Sequence, residues 1–262
     1  MKITLINGEA GAIPASHRAL AYGDGLFETI YVDHNGPQFL TDHLNRLLSG
    51  VEILNLAWSE SCTDKLLNEI SRLVRDITVP HALKIMLLRN YPGRGYDFDP
   101  QQQTTDVVLQ LADYVKPAWA EKGAKVVVAE TYINENQTLA GLKHLNRLDS
   151  VIARQFARKN NAHEALLSDA QKNIIEGSMC NVFFKVGSEW LTPSLKVAGV
   201  AGILRQQVIE QNAVQVREIH RDELANVEAA ALTNSLIGMV PVVSIDNRIL
   251  SEKVDLNYNW NL

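Results

Sequence analysis

Apolar positions along this chain change period several times, and each change marks an element. Residues 26–32 read as a strand, closed by the turn Asp33-His34-Asn35-Gly36 and followed by a second strand through Phe39-Leu40. Thr41 then reads as a helix N-cap, with Leu44, Leu47, Leu48, Val51 and Leu54 recurring at helical spacing. A second helix carries Leu66, Leu67, Ile70, Leu73, Val74 and Ile77. Residues 82–88 and 107–112 return to strand character, separated by the loop Asn90-Tyr91-Pro92-Gly93-Arg94-Gly95-Tyr96. Strand–strand–helix–helix–strand–strand over residues 1–112 predicts a small α/β domain whose sheet carries its helices on one face.

Residues 113–123, with Lys116-Pro117, read as a linker to a larger domain over 124–262. There 125–129 is a strand. Leu148, Val151, Ile152, Gln155 and Phe156 mark a helix ended by Asn160-Asn161. Short strands follow at 164–167, 174–176, 182–186 and 190–192, with tight turns at 169–173 and Gly187-Ser188. Residues 203–211 are helical, and strands at 229–233 and 240–244 close the domain. The fold class is α/β (α+β) in two domains: a small N-terminal α/β sandwich lobe and a larger mixed α/β C-terminal domain.

Composition narrows the function. With 262 residues, 46% of them apolar, the chain can bury a large core. Its net charge of −5 and lack of a concentrated basic surface exclude phosphate-backbone binding, so no nucleic-acid partner is expected. Two distant cysteines, Cys62 and Cys180, are too few for a disulfide scaffold and suit a reducing compartment. The start, Met1 to Gly8, reads as a strand and turn rather than a signal peptide. Glu228, Asn234 and Pro241 interrupt the most apolar window, 227–245, so no membrane span is expected and the protein is placed in the cytoplasm.

Three segments carry chemistry in order. Ala140-Gly141-Leu142-Lys143-His144-Leu145-Asn146-Arg147-Leu148 puts a lysine on a glycine-containing turn just before a helix, whose N-terminus disfavours a charged amine. Glu176, in Glu176-Gly177-Ser178-Met179-Cys180-Asn181, is a strand-end carboxylate that could hold a pyridine nitrogen protonated. Gly199-Val200-Ala201-Gly202-Ile203-Leu204-Arg205 brings two glycines before a helix start, whose backbone N–H groups can receive a phosphate. An amine, a carboxylate and an anion cradle are what a protein needs to hold pyridoxal 5'-phosphate. Arg46, off the apolar stripe of its helix, and Asn234 are candidate phosphate donors or plain surface groups. Arg94, and less so Arg89, could clamp a substrate carboxylate or simply face solvent. The seven histidines show no metal-binding pair at helical spacing, and no Gly-x-Ser-x-Gly or P-loop run is present; no metal is expected.

Taken together, these segments resemble the fold-type IV (class IV) pyridoxal-phosphate enzymes, which include branched-chain and D-amino acid aminotransferases and the lyases of 4-amino-4-deoxychorismate. The resemblance begins with His17-Arg18-Ala19-Leu20-Ala21-Tyr22-Gly23-Asp24-Gly25-Leu26-Phe27-Glu28-Thr29, passes through His43-Leu44-Asn45-Arg46-Leu47 and ends near Leu232-Thr233-Asn234-Ser235. It implies that Lys143 carries the cofactor and that Glu176 partners its ring nitrogen. It also implies that Arg46, the backbone of Ile203 and Leu204, and Asn234 hold its phosphate. The same resemblance implies a cofactor in an interdomain cleft and a homodimer in which one subunit's small domain lies near the other's cleft. Residues 142–148 and Gly93-Arg94-Gly95-Tyr96 resemble the lyase branch most, whose small-molecule substrate is 4-amino-4-deoxychorismate, and Phe27 stands where D-amino acid aminotransferases have tyrosine. Glu28, shared with several transaminases, keeps a D- or branched-chain aminotransferase as the alternative. On the lyase reading, Phe27, Arg94 and Arg89 would meet the substrate, and Lys143 or Thr29 would protonate the departing group.

Overall fold

The computed structural model describes residues 2–258; Met1 and the last four positions of the larger predicted domain lie outside the described residues. Contacts between Cα atoms divide the chain into two units, Met1–Val115 with Leu142–Asn146, and Lys116–Gly141 with Arg147–Leu262.

The first unit is built on β1 (Lys2–Ile6), β2 (Glu9–Ala10), α1 (Arg18–Tyr22), β3 (Gly25–Asp33), β4 (Gly36–Pro37), α2 (Leu40–Leu54), α3 (Glu60–Val74), β5 (His81–Asn90) and β6 (Thr104–Asp113). Its six strands form one antiparallel sheet in the order β2-β1-β6-β5-β3-β4. Alternation decides what each strand residue meets. Leu26, Ile30 and Val32 of β3, Leu83, Ile85 and Leu87 of β5 and Leu109 and Leu111 of β6 share one core. Leu44, Leu47 and Val51 of α2 and Leu66 and Ile70 of α3 complete it. Phe27 and Thr29 point to the opposite face of β3, where they pair with Met86 and Lys84 of β5.

The segment after β4 departs from the sequence reading. Phe39 and Leu40 are not a strand: Phe39 adopts a left-handed conformation (φ 53°) and is itself the N-cap, and α2 starts at Leu40. Thr41 therefore lies exposed inside the first turn and caps nothing. Two adjacent apolar residues have no period, so hydrophobicity alone cannot tell a strand end from a helix entry there.

The second unit contains α4 (Trp119–Lys122), β7 (Ala124–Tyr132), α5 (Leu148–Lys159), β8 (Glu164–Ser168), β9 (Ile174–Gly177), β10 (Asn181–Val186), β11 (Glu189–Pro193), α6 (Ile203–Gln211), β12 (Val214–Arg217), β13 (Ala229–Asn234), β14 (Gly238–Ile245) and β15 (Arg248–Ile249). Its sheet runs β12-β11-β10-β13-β14-β7-β8-β9, with β15 beside β14. The pairs β11/β12, β14/β7 and β7/β8 are parallel and the others antiparallel, so the sheet is mixed. Its largest core gathers Val126 and Val128 of β7, Leu166 of β8, Val182 and Phe184 of β10, Leu232 of β13 and Val240 of β14.

The apolar residues that mark α5 in the sequence are mostly not the ones it buries. Leu148, Val151 and Ile152 are 76%, 49% and 47% exposed, while Ala153 and Ala157 are fully buried against Ala129 of β7 and Ala165 and Leu167 of β8. Small side chains let the helix lie close on the sheet, which leaves the larger apolar stripe outside. Among the described residues no helix is long and apolar enough to cross a membrane.

Candidate functional site

Lys143 lies on extended chain. The Phe27 N–H donates to the Lys143 carbonyl (2.9 Å), the Leu145 N–H donates to the Gly25 carbonyl (3.1 Å), and Leu26 and His144 form an antiparallel bridge. Residues 142–146 thus line the outer edge of the first half of β3 and use its exposed backbone groups. Since α5 begins only at Leu148, Lys143 lies outside its first turn. The helix-end potential expected from the sequence fades over that distance. What Lys143 does meet is Phe27: its Nζ lies 4.5 Å from the ring centroid.

Lys84 approaches the same ring, with Nζ at 5.0 Å. Burial, and then the charge of Lys2, pulls its ammonium below the usual lysine value. Phe27, Thr29 and Lys84 therefore share one half-buried sheet face, and Lys143 stands over its aromatic member. Sequence reasoning missed Lys84. The available signal was a single lysine at a position where β5 otherwise carries Ala82 and Met86 on that face.

Arg46 sits elsewhere in this unit. Its Nε and Nη2 donate to the two carboxylate oxygens of Glu28, at 2.7 and 2.5 Å. His43, one turn earlier on α2, has Nδ1 2.7 Å from Glu28 Oε2. Glu28 is fully buried and His43 is 1% exposed. Burial alone would push the Glu28 carboxyl up, but hydrogen bonds from His43 and Arg46 and the charge of Arg46 outweigh it and hold it at about 2. A carboxyl whose folded-state pKa lies below its ordinary 4.5 contributes its full stability above pH 4.5 and loses it as pH falls toward 2. Urea midpoints measured between pH 6 and 2.5 are therefore expected to fall across that window. In Glu28→Gln the protein should be less stable at neutrality and the fall shallower; parallel curves for the two proteins would contradict the assignment.

Arg89 and Arg94 part company. Arg89 is 3% exposed and fully committed: Nε donates to both oxygens of Asp24 (3.1 and 3.0 Å), Nη1 to the Asn55 carbonyl (3.0 Å) and to Gln103, and Nη2 to the Leu54 carbonyl (2.5 Å). It fastens the C-terminal carbonyls of α2, which a helix leaves unsatisfied, and so is not a substrate clamp. Arg94 is exposed. Its loop is held by Arg18, which donates to the carbonyls of Gly95 (2.8 Å) and Tyr96 (3.1 Å) and pairs with Asp24 (3.1 Å).

In the second unit Glu176 is the penultimate residue of β9, and it is buried. Its Oε2 accepts from the Val200 N–H (2.8 Å), and its Oε1 lies 3.9 Å from Arg147 Nη1. Burial lowers the pKa of both Arg147 and Arg205 while the charge of Glu176 opposes that shift, so both guanidinium groups sense this carboxylate. Gly199 has φ of 89°, and a Cβ there would stand 2.9 Å from Ile175 Cγ2 and 2.7 Å from Leu195 Cδ2. A Cβ on Gly202 would collide with Asn181 Oδ1. Asn181 also holds the loop by donating Nδ2 to the Val200 carbonyl (2.9 Å). Gly141 completes the support, donating to the Gly199 carbonyl and accepting from the Ala201 N–H. The glycine run is therefore close-packed backbone laid over a carboxylate, opening into α6 with Gly202 as N-cap and Ile203 and Leu204 as its first residues.

Asn234 takes another role than the expected phosphate donor. Its Oδ1 accepts from the N–H groups of Leu236 (2.9 Å) and Ile237 (3.0 Å), and its Nδ2 donates to the Met179 carbonyl (3.2 Å). The side chain fastens the turn between β13 and β14 to the loop after Glu176.

Each unit carries groups of the kind that hold pyridoxal phosphate: the first a lysine amine on a pinned backbone, the second a buried carboxylate and a helix N-terminus entered through glycines where any Cβ would intrude. Comparisons with known proteins agree. The chain is similar to 4-amino-4-deoxychorismate lyase from Pseudomonas aeruginosa, with a TM-score of 0.83 and 29% identity over 95% of this chain and 93% of that one. An aminodeoxychorismate lyase from Vibrio harveyi is 28% identical, covering 89% of this chain and 87% of the relative. A D-alanine aminotransferase from Bacillus licheniformis is 27% identical, covering 91% and 85%. The model of the amino-transferase class IV family matches residues 25–245, and the chain belongs to that family. It is a pyridoxal-phosphate enzyme of mixed α/β fold.

Proposed function

We propose that this enzyme is a lyase that converts 4-amino-4-deoxychorismate into 4-aminobenzoate and pyruvate, a step of folate synthesis. The observation that carries the reading is the Phe27 face, where one aromatic ring has the amines of Lys143 and Lys84 at 4.5 and 5.0 Å and shares its strand face with Thr29. The substrate is a six-membered ring with one carboxylate on the ring and a second on its enolpyruvyl ether. A flat apolar support with a second ammonium beside the cofactor lysine suits it, and the exposed Arg94 offers a further cation. The similarity to the Vibrio and Pseudomonas lyases supports the same reading.

Bound pyridoxal phosphate supplies an electron sink. Lys143 would hold its aldehyde, Glu176 its protonated ring nitrogen, and Arg46 with the Ile203 and Leu204 N–H groups its phosphate. Lys143 would also serve as the base that removes the proton from the substrate carbon bearing the amine. The carbon–oxygen bond to the enolpyruvyl group breaks and the ring becomes aromatic. A proton delivered by Lys143 or Thr29 to the departing methylene completes pyruvate, so one substrate yields two products with no other reactant. Aromatisation makes the elimination downhill, which leaves alignment as the protein's main task.

A D- or branched-chain aminotransferase would use the same lysine and carboxylate, and the similarity to D-alanine aminotransferase favours that second reading. The protein would act as a homodimer, to which the exposed Leu148, Val151 and Ile152 of α5 offer an apolar face. The deciding experiment supplies 4-amino-4-deoxychorismate, made in place from chorismate and glutamine by its synthase, and follows 4-aminobenzoate fluorescence. Equimolar 4-aminobenzoate and pyruvate are expected. No 4-aminobenzoate, with ready pyruvate release from D-alanine and 2-oxoglutarate, would replace the lyase by the aminotransferase.

A further inference from the structure

Glu28 and His43 form a buried polar cluster with Arg46, and neither of the two has a part in the reaction set out above. Glu28 lies on the helix-facing side of β3, between Leu26 and Ile30 of the core, where a carboxylate is costly unless it is fully paired. It is paired side-on: Arg46 Nε and Nη2 each reach a different carboxylate oxygen. This two-point fork fixes the plane of the guanidinium and its rotation within that plane. It also turns the opposite edge, Nη1 and the second Nη2 hydrogen, away from the carboxylate. His43 also secures the acceptor, with Nδ1 on the Oε2 that Arg46 Nη2 meets, and its Nε2 is buried with no hydrogen-bond partner among the described residues. The imidazole is therefore spent on Glu28 alone.

We propose that Glu28 is a positioning residue for cofactor binding: by holding Arg46 in one orientation, with His43 bracing the carboxylate, it sets the enzyme's preference for phosphorylated over unphosphorylated pyridoxal. This rests on the reading of Arg46 as a phosphate ligand. An arginine on a helix surface has several rotatable bonds, and a site that must order it on binding loses affinity accordingly. Glu28 orders it beforehand at no cost to the ligand. The effect is confined to ligands that carry the phosphate, because only they meet Arg46.

The test is equilibrium binding to the apoenzyme, with pyridoxal 5'-phosphate and pyridoxal titrated in parallel. Glu28→Gln is expected to weaken pyridoxal phosphate about ten- to a hundredfold, the range for losing charge-assisted hydrogen bonds, and to change pyridoxal less than about twofold. Glu28→Asp keeps the charge while drawing the carboxylate back by one methylene, so it should fold and show a smaller loss of the same kind. Equal weakening of both ligands, or of neither, would overturn the proposal, since a merely structural role cannot distinguish them. Arg46→Ala serves as the reference: if it too leaves the ratio of the two affinities unchanged, the phosphate role of Arg46 fails, and the inference fails with it. If Arg46→Ala collapses the ratio and the Glu28 variants do not, only the inference fails.

Discussion

Lys143→Ala is expected to lower kcat by at least about 10³- to 10⁴-fold, the upper end of what a positioned base supplies, with covalent attachment of the cofactor lost as well. The fold should survive. The interactions that hold residues 142–146 on β3 run through backbone atoms, from the Phe27 N–H to the Lys143 carbonyl and from the Leu145 N–H to the Gly25 carbonyl, and alanine keeps them. Borohydride treatment with pyridoxal phosphate, followed by peptide mass mapping, should tag residue 143 in the parent protein and leave the variant unmarked there. A tag on Lys84 in the parent would move the chemistry to the other amine beside Phe27. Undiminished turnover in the variant would remove Lys143 from the mechanism.

Glu176→Gln is expected to lower kcat by about 10²- to 10³-fold, the effect of losing one preorganised electrostatic partner. The amide keeps an acceptor for the Val200 N–H, so the glycine run should stay in place. What disappears is the negative charge that both Arg147 and Arg205 sense. The melting temperature should therefore fall slightly, and the absorbance of bound cofactor should shift as its ring nitrogen loses the counter-charge. Turnover within threefold of the parent would show that the ring nitrogen is not held by this carboxylate.

Strongly periodic elements were legible in the sequence. Residues 203–211 were read as α6 with both ends as found, and the strand pattern of the first unit located β3, β5 and β6. The two-residue strands β2, β4 and β15 are too short to show a period, and α1 spans little more than one turn. Period reports that a helix exists, but the face that turns inward depends on what it packs against. Ala153 and Ala157 won that place in α5 because they allow close approach, over the larger Val151 and Ile152. The site shows the same division. Lys143, Glu176 and the glycine run lie in ordered motifs and could be picked out by residue type. Lys84, Arg147 and Arg205 are single residues whose significance comes from neighbours distant in sequence. Arg89 and Arg94 were indistinguishable by type, and burial separates them completely.

Attachment of residues 142–146 to β3 has a practical consequence for dissecting this enzyme. A fragment ending at residue 115 looks like a natural cut but omits the segment that satisfies the backbone of Gly25 and Phe27. Such a fragment would present an unprotected strand margin to its own copies and should precipitate or form ladders on native gels. Restoring solubility would require grafting the pentapeptide back, for example through a flexible loop joined after residue 115.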